Sequence, residues 1–131
     1  EFINAFAAND PKSTLKTWNM INERLNREKF AIFLNTRLDR QYRTIQLINL
    51  IFDRLKPEVL ILRGENFPYE LKKLSDKNKN IKIYKFPYSI KQKDLIKFID
   101  DTLPSFVVLG IGNIVGWGEL LMKQMKEMKV D

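Results

Sequence analysis

The feature that most constrains the fold is a short apolar run followed at once by a cluster of polar residues. This pairing occurs four times: apolar runs at 2–8, 30–34, 59–62 and 106–109 precede polar clusters at 9–14, 35–43, 63–66 and 110–113. Runs that are apolar throughout are typical of strands buried on both faces of a parallel sheet. Because ligands of open parallel sheets bind beyond the carboxyl ends of the strands, the clusters predict one functional edge.

Segments with apolar residues at helical spacing separate these runs. Expected strands lie at 2–8, 29–35, 59–62, 81–85 and 106–109, the fourth at a sheet edge. Expected helices lie at 13–25, at 41–55, at 68–75, from 89 to about 103, and from about 117. Ser13 or Thr14 is expected to cap the first helix, and Ser89 with Gln92 is expected to form a capping box at the start of the fourth. This alternation predicts an α/β fold, namely a doubly wound, Rossmann-like, mostly parallel five-stranded sheet with helices on both faces.

Length and terminal residues bear on domain organisation. The 131 residues suit a single Rossmann-like domain over 1–131. The chain begins with Glu1 rather than Met and enters strand-like sequence at once, so we expect a segment excised from a longer protein. On the final helix, Leu121, Met122, Met125 and Met128 form one stripe, which we expect to be core.

Composition excludes several kinds of chemistry. The chain has no Cys and no His, which excludes a thiol nucleophile, a disulfide, a Cys/His zinc site and a Ser-His-Asp triad within it. The net charge of +7 favours anionic partners. Much of that charge comes from scattered lysines, for which a solvated surface is the alternative explanation. The aromatic residues follow core patterns, so nucleic acid is not an expected partner.

The arginine cluster is the least easily explained by folding alone. Arg37, Arg40 and Arg43 recur every three residues near a predicted helix start, where the helix dipole disfavours positive charge. Guanidinium groups form paired hydrogen bonds with carboxylates and phosphates. We therefore predict that these arginines bind an anionic ligand and that Asp39 orients them. The alternative is a surface web of ion pairs.

The first polar cluster also precedes a predicted helix. Backbone N–H groups at a helix start favour anions, so Asn9, Asp10, Ser13 and Thr14 are candidate ligand-binding residues. The alternative is that the last three only cap the helix and that Pro11 begins it.

The last cluster is rich in glycine. Gly110, Gly112 and Asn113 are candidates to form a loop that a ligand or a neighbouring domain approaches closely. The alternative is a tight turn into the last helix. The spacing is one residue longer than the dinucleotide fingerprint, and the cluster follows the last strand, so a nicotinamide site is disfavoured.

Three stretches carry a family resemblance. They are Asn-Ala-Phe-Ala-Ala-Asn-Asp-Pro-Lys-Ser-Thr at 4–14, Leu-Asn-Thr-Arg-Leu-Asp-Arg at 34–40 with its continuation to 44, and Gly-Ile-Gly-Asn-Ile-Val-Gly at 110–116. In this order they resemble the C-terminal domain of the ligase subunits of poly-γ-glutamate synthases, the capsule-biosynthesis B proteins, which are relatives of the Mur ligases. The likeness runs nearly end to end.

The resemblance implies the C-terminal substrate- and nucleotide-closing domain of an ATP-dependent amide ligase. Such an enzyme polymerises glutamate into poly-γ-glutamate through an acyl phosphate. ATP and Mg²⁺ would be held mainly by an absent central domain, since this chain has no Gly-x-x-x-x-Gly-Lys-Ser/Thr loop. The isolated domain would then be inactive. Implied partners are glutamate, poly-γ-glutamate and the membrane subunits of the synthase complex, at the cytoplasmic face of the cell membrane. A homo-oligomer remains open.

The resemblance also assigns residues. The second cluster is similar to the Mur Gly-Asp-Arg-Asp-x-x-Lys-Arg loop, so Arg37, Asp39, Arg40 and Arg43 would take its substrate or nucleotide role. The first cluster is similar to the Mur His-Asn-Pro motif but departs from it, with Ala8 in place of the histidine and an inserted aspartate. The rival interpretation of the chain is a non-catalytic basic module that docks a membrane synthase partner or an anionic polymer.

Overall fold

The computed structural model describes residues 1–7, 10–25 and 28–128. Its strands are β1 (Phe2–Asn4), β2 (Lys29–Asn35), β3 (Val59–Arg63), β4 (Lys82–Phe86) and β5 (Phe106–Gly112). Its helices are α1 (Pro11–Arg24), α2 (Gln41–Leu50), α3 (Tyr69–Lys77), α4 (Gln92–Thr102) and α5 (Trp117–Met128). A 3₁₀ turn (Leu38–Arg40) precedes α2, and a π turn (Ile51–Leu55) continues it. Within the described ranges, no helix has the length and apolar character needed to cross a membrane.

All five strands are parallel, in the order β1-β5-β2-β3-β4. The register places Asn35, the last residue of β2, between Gly112 of β5 and Arg63 of β3. Three strands thus end side by side, at the edge where the polar clusters follow. The predicted α/β fold with a parallel five-stranded sheet is confirmed.

Alternate residues of β2 face two separate cores. Ile32 and Leu34 belong to one core, which α1, α2 and α3 cover, whereas Ala31 and Phe33 belong to the other, which α4 and α5 cover. The sheet is therefore buried on both faces, which explains why its central strands are apolar at every position of 30–34 and 59–62.

The first strand is shorter than predicted. It ends at Asn4, whose side-chain Oδ1 accepts the Phe6 backbone N–H at 3.2 Å. Ala5 and Phe6 are buried, but they lie in the turn that follows. Ala8 lies outside the described residues. The apolar run at 2–8 therefore extends past the end of the strand, where Ala5 and Phe6 are buried outside it.

Two predicted helix starts are wrong. Asp10, rather than Ser13 or Thr14, is the N-cap of α1. Helix α4 begins at Gln92, and no side chain caps it. The expected capping box with Ser89 is absent there because the Gln92 side chain donates from Nε2 to the Trp117 carbonyl at 3.2 Å instead.

The stripe of α5 is only partly core. Leu121 and Met125 are buried, and Met122 packs partly against the same core. Met128, at the end of the helix, is 57 % exposed, so its predicted burial is wrong.

Candidate functional site: a cationic pocket at the carboxyl edge

A pocket opens at the carboxyl edge between the segment that follows β2 and the end of β5. Its lining residues are Leu34, Asn35, Thr36, Arg37, Arg40, Arg43, Thr44, Leu47, Gly112 and Asn113. All three arginines of the predicted cluster line it, and none of the lining residues that the structure describes is acidic. The sequence therefore predicted correctly that the arginine cluster and the last loop meet at one place.

Of the three arginines that Asp39 was predicted to orient, the structure pairs it with Arg37. The Arg37 guanidinium donates from Nε to Oδ1 of Asp39 at 3.0 Å and from Nη2 to Oδ2 at 2.9 Å. Hydrogen bonding from Arg37 holds the pKa of the Asp39 carboxyl below its ordinary value. Asp39 itself is exposed and lies outside the lining. This pair fixes one guanidinium at the rim of the pocket and leaves two further arginines in the lining.

Arg40 is the N-cap residue of α2. Its side chain forms no hydrogen bond or ion pair within the described ranges, and no side chain caps the helix. Arg43 follows in the first turn and is half-buried. Positive charge therefore collects at a helix N-terminus whose dipole is also positive. An anion in the pocket would relieve this unfavourable arrangement, since it would interact with both the guanidinium groups and the dipole.

The opposite wall of the pocket is tied to β2 by backbone and side-chain hydrogen bonds. The Asn113 N–H donates to the Asn35 carbonyl at 2.8 Å, and Asn35 Nδ2 donates to the Asn113 carbonyl at 2.7 Å. Gly112 has φ +96, and a Cβ there would overlap the Asn35 carbonyl oxygen. Glycine is thus required at 112 by the close approach of the neighbouring strand, since an L side chain is strained at that φ.

Of the first predicted cluster, the three described residues Asp10, Ser13 and Thr14 lie outside this lining. Asp10 caps α1, because its Oδ1 accepts the Ser13 N–H at 2.9 Å and its Oδ2 accepts the Ser13 hydroxyl at 2.7 Å. These bonds lower the pKa of the Asp10 carboxyl. Thr14 is fully buried, and Asn9 lies outside the described residues. The capping alternative accounts for Asp10 and Ser13, and ligand binding by this cluster stays a prediction.

Gly110 does not belong to the last loop. It lies inside β5, where a Cβ would come within 2.6 Å of Phe2 Cζ and 2.9 Å of Phe6 Cε2. The expectation that Gly110 forms the loop with Gly112 and Asn113 is therefore wrong. Its role is to make room for two aromatic rings.

Sequence reasoning assigned no role to Arg63, which the structure places at the centre of this edge. Arg63 ends β3 and is only 8 % exposed, and its burial lowers the pKa of the guanidinium. It donates from Nη1 to Asn35 Oδ1 and from Nη2 to the Tyr88 carbonyl, both at 2.8 Å. In the sequence, the one sign of such a role was that a single arginine ends an otherwise apolar strand.

Comparison with known proteins points to one family. Residues 1–128 match the family model described as the poly-gamma-glutamate synthase CapB C-terminal domain. The PGA synthase CapB of Bacillus subtilis (strain 168) is 31 % identical over 98 % of this chain and 33 % of its own length. The capsule biosynthesis protein CapB of Bacillus anthracis is 28 % identical over 98 % of this chain and 28 % of its own length. The chain thus spans about a third or less of these relatives.

Solved structures share the fold. The murein peptide ligase Mpl of Psychrobacter arcticus 273-4 aligns with a TM-score of 0.57 and 12 % identity over 99 % of this chain and 28 % of its own. MurF of Acinetobacter baumannii aligns with a TM-score of 0.56 and 17 % identity over 96 % of this chain and 28 % of its own. At such identities the likeness concerns the fold alone. The resemblance seen in the sequence is confirmed.

Proposed function

This chain belongs to the poly-gamma-glutamate synthase CapB C-terminal domain family, and we propose that it closes the active site of an ATP-dependent amide ligase that polymerises glutamate. The observation that carries the proposal is the pocket lined by Arg37, Arg40 and Arg43, with no acidic side chain among the described residues of its lining. In the full-length enzyme this pocket would hold the negatively charged reactant against the other domains.

The charges of the reactants match the pocket. In the proposed reaction, phosphorylation by ATP converts a carboxylate of the growing chain into an acyl phosphate. The amine of an incoming glutamate then forms a C–N bond to the acyl carbon, the C–O bond to phosphate breaks, and the amine loses a proton. Both carboxylates of that glutamate stay ionised throughout. Guanidinium groups recognise carboxylates with two parallel hydrogen bonds, so Arg40 and Arg43 would orient the incoming amino acid.

ATP and Mg²⁺ are proposed to bind mainly to the remaining part of the full-length protein. Among the described residues there is no group of three or more acidic side chains that suits a metal ion, so the proposal assigns no Mg²⁺ ligand here. The arginine pocket does fit a phosphate group, because guanidinium binds phosphate as it binds carboxylate. On this account the 131-residue chain is inactive by itself.

The proposal extends to partners and location. Glutamate and poly-γ-glutamate are the proposed ligands, and the membrane subunits of the synthase are the proposed partners, at the cytoplasmic face of the membrane. The charge of +7 supports contact with an acidic polymer. Binding of poly-γ-glutamate to the chain should therefore weaken as salt rises. If no binding is detected at either low or physiological salt, the polymer contact is ruled out.

The experiment that tests this function is the Arg40→Ala substitution in the full-length ligase. A lost hydrogen bond between charged groups costs about 1.5–3 kcal/mol, so the KM for glutamate should rise by about tenfold or more. Arg24→Ala is the matched control. Arg24 is an exposed arginine in the last turn of α1, where the chain has returned to the amino edge of the sheet, opposite the edge that carries the pocket.

Kinetics that are identical in the Arg40→Ala and Arg24→Ala enzymes would overturn the proposal. If Arg40→Ala retained full activity but lost assembly with the synthase subunits, the non-catalytic docking module would be the better account.

A further inference from the structure

Arg63 is a buried cation without a carboxylate partner. Among the described residues, the Arg37–Asp39 pair is the one ion pair, and Arg63 bonds only to neutral oxygen atoms. Its Nε is buried and has no hydrogen-bond partner. Burying such a charge costs free energy that a similarly shaped apolar residue would not incur. Stability alone therefore does not account for a guanidinium at this position.

Two aromatic rings hold the Arg63 guanidinium in place. Its Cζ lies 4.2 Å from the centroid of the Trp117 ring and 5.1 Å from that of the Tyr88 ring. Both rings are anchored, because Trp117 Nε1 donates to the Ile90 carbonyl at 2.8 Å and the Tyr88 hydroxyl is 2.9 Å from Thr36 Oγ1. The guanidinium plane thus has one orientation, supported by the segments that follow β4 and β5.

This orientation determines that of the Asn35 amide. Arginine has only donors, so the Asn35 oxygen must face Arg63 Nη1. The amide nitrogen of Asn35 then faces the Asn113 carbonyl, to which it donates at 2.7 Å. Arg63 therefore acts on the last loop through a single intermediate side chain.

Arg63 also contacts the wall that carries the arginine cluster. Its own carbonyl accepts the Thr36 hydroxyl at 2.9 Å and the Thr36 N–H at 3.1 Å. Thr36 directly precedes Arg37 in the chain and lines the pocket. Arg63 is thus bonded to both residues that lead from β2 into the cationic cluster.

We propose that Arg63 is a positioning residue that holds the two walls of the cationic pocket, Asn35–Thr36 and Gly112–Asn113, in register. Arg63 is absent from the pocket lining and acts through Asn35. This inference rests on the proposed function only where it predicts a change in the KM for glutamate. The proposed chain of hydrogen bonds, from Arg63 through Asn35 to Asn113, has a structural consequence that can be measured separately.

The test uses the full-length ligase and two substitutions in this chain of hydrogen bonds. Arg63→Met keeps a long side chain between the rings but removes both guanidinium hydrogen bonds. Asn35→Leu is close in size and adds no charge to the pocket, and it removes the donor to Asn113 together with the acceptor for Arg63. Hydrogen exchange at the Asn113 amide should quicken about tenfold in each variant, since about 1.4 kcal/mol of local protection is lost. The double variant should exchange no faster than the single variants, because both act on one chain of bonds.

Kinetics provide the second readout. In both single variants the KM for glutamate should rise about tenfold while kcat changes less than about threefold, since misplaced walls weaken substrate binding. Arg63→Lys keeps the charge but not the forked geometry and should resemble Arg63→Met. Lys82→Met is the control, because Lys82 is an exposed cation at the opposite end of the neighbouring strand β4. Circular dichroism checks folding, and if Arg63→Met does not fold, Asn35→Leu carries the test.

Unchanged exchange at Asn113 in the folded variants would overturn the proposal, as would additive effects in the double variant. Faster exchange with an unchanged KM would overturn the link to substrate, provided that Arg40→Ala does raise that KM. If Arg40→Ala has no effect either, the proposed function fails, and hydrogen exchange alone decides the role of Arg63.

Discussion

Replacing Gly112 by alanine tests how closely the ends of β2 and β5 approach. Gly112 has φ +96, and an added Cβ would overlap the Asn35 carbonyl oxygen and lie 2.9 Å from Leu34 Cδ1. Gly116 is the matched control, since it also has a positive φ of +68 but a Cβ there would meet nothing within 4 Å. Both substitutions thus place a side chain at positive φ, and only Gly112→Ala adds a steric contact.

The magnitudes follow from these contacts. A non-glycine residue at positive φ costs about 1–2 kcal/mol, of which about 0.5–1 kcal/mol is recovered from the reduced entropy of the unfolded chain. Gly116→Ala should therefore destabilise by about 0.5–1 kcal/mol. Gly112→Ala must also displace the Asn35 carbonyl, which weakens the hydrogen bond from the Asn113 N–H. Overpacking and that bond add about 2–3 kcal/mol, for a total of about 3 kcal/mol.

Thermal unfolding of the 131-residue chain provides the assay. At this size 1 kcal/mol corresponds to about 3–5 °C in Tm, so Gly112→Ala should lower Tm by about 10 °C and Gly116→Ala by about 3 °C. Equal shifts would refute the steric argument, since the backbone strain alone would then account for both variants.

Three further outcomes follow from the local geometry. Arg37 lowers the pKa of the Asp39 carboxyl, so the ion pair is fully formed above pH 3.8 and is lost as the pH falls through the lowered pKa. Arg37→Gln should therefore move the NMR titration midpoint of Asp39 up toward 3.8, and an unmoved midpoint would contradict this. Asp10→Ala removes the N-cap of α1 and should cost about 1 kcal/mol in denaturant unfolding, whereas Asp10→Asn should cost a few tenths. Lys56 has φ 48, so Lys56→Gly should stabilise the chain by about 0.5–1 kcal/mol, and a lower Tm would contradict this.

The sheet and the edge where the arginine cluster meets the last loop were predictable because their signals are local. An apolar run such as 59–62 specifies a strand buried on both faces, and the polar cluster at 35–43 marks where β2 ends. The parallel order then brings such ends together whatever their distance in sequence. Arg37, Arg40 and Arg43 could be found in this way because three arginines within seven residues after one strand form a local pattern in the sequence.

The remaining features depend on contacts between distant parts of the chain. Gly110 looks like a loop glycine until Phe2 and Phe6 are seen against it. Gln92 looks like half of a capping box, but its side chain bonds to Trp117 instead. The role of Arg63 depends on residues from four different segments, so no local pattern contains it.

The most direct test of the account is a crystal structure of the full-length ligase with glutamate and a non-hydrolysable ATP analogue. The account predicts a carboxylate of glutamate, or a phosphate oxygen, within about 3.2 Å of the guanidinium groups of Arg40 or Arg43. A structure in which both reactants bind elsewhere while these arginines face solvent would contradict the claim that this edge holds the anionic reactant.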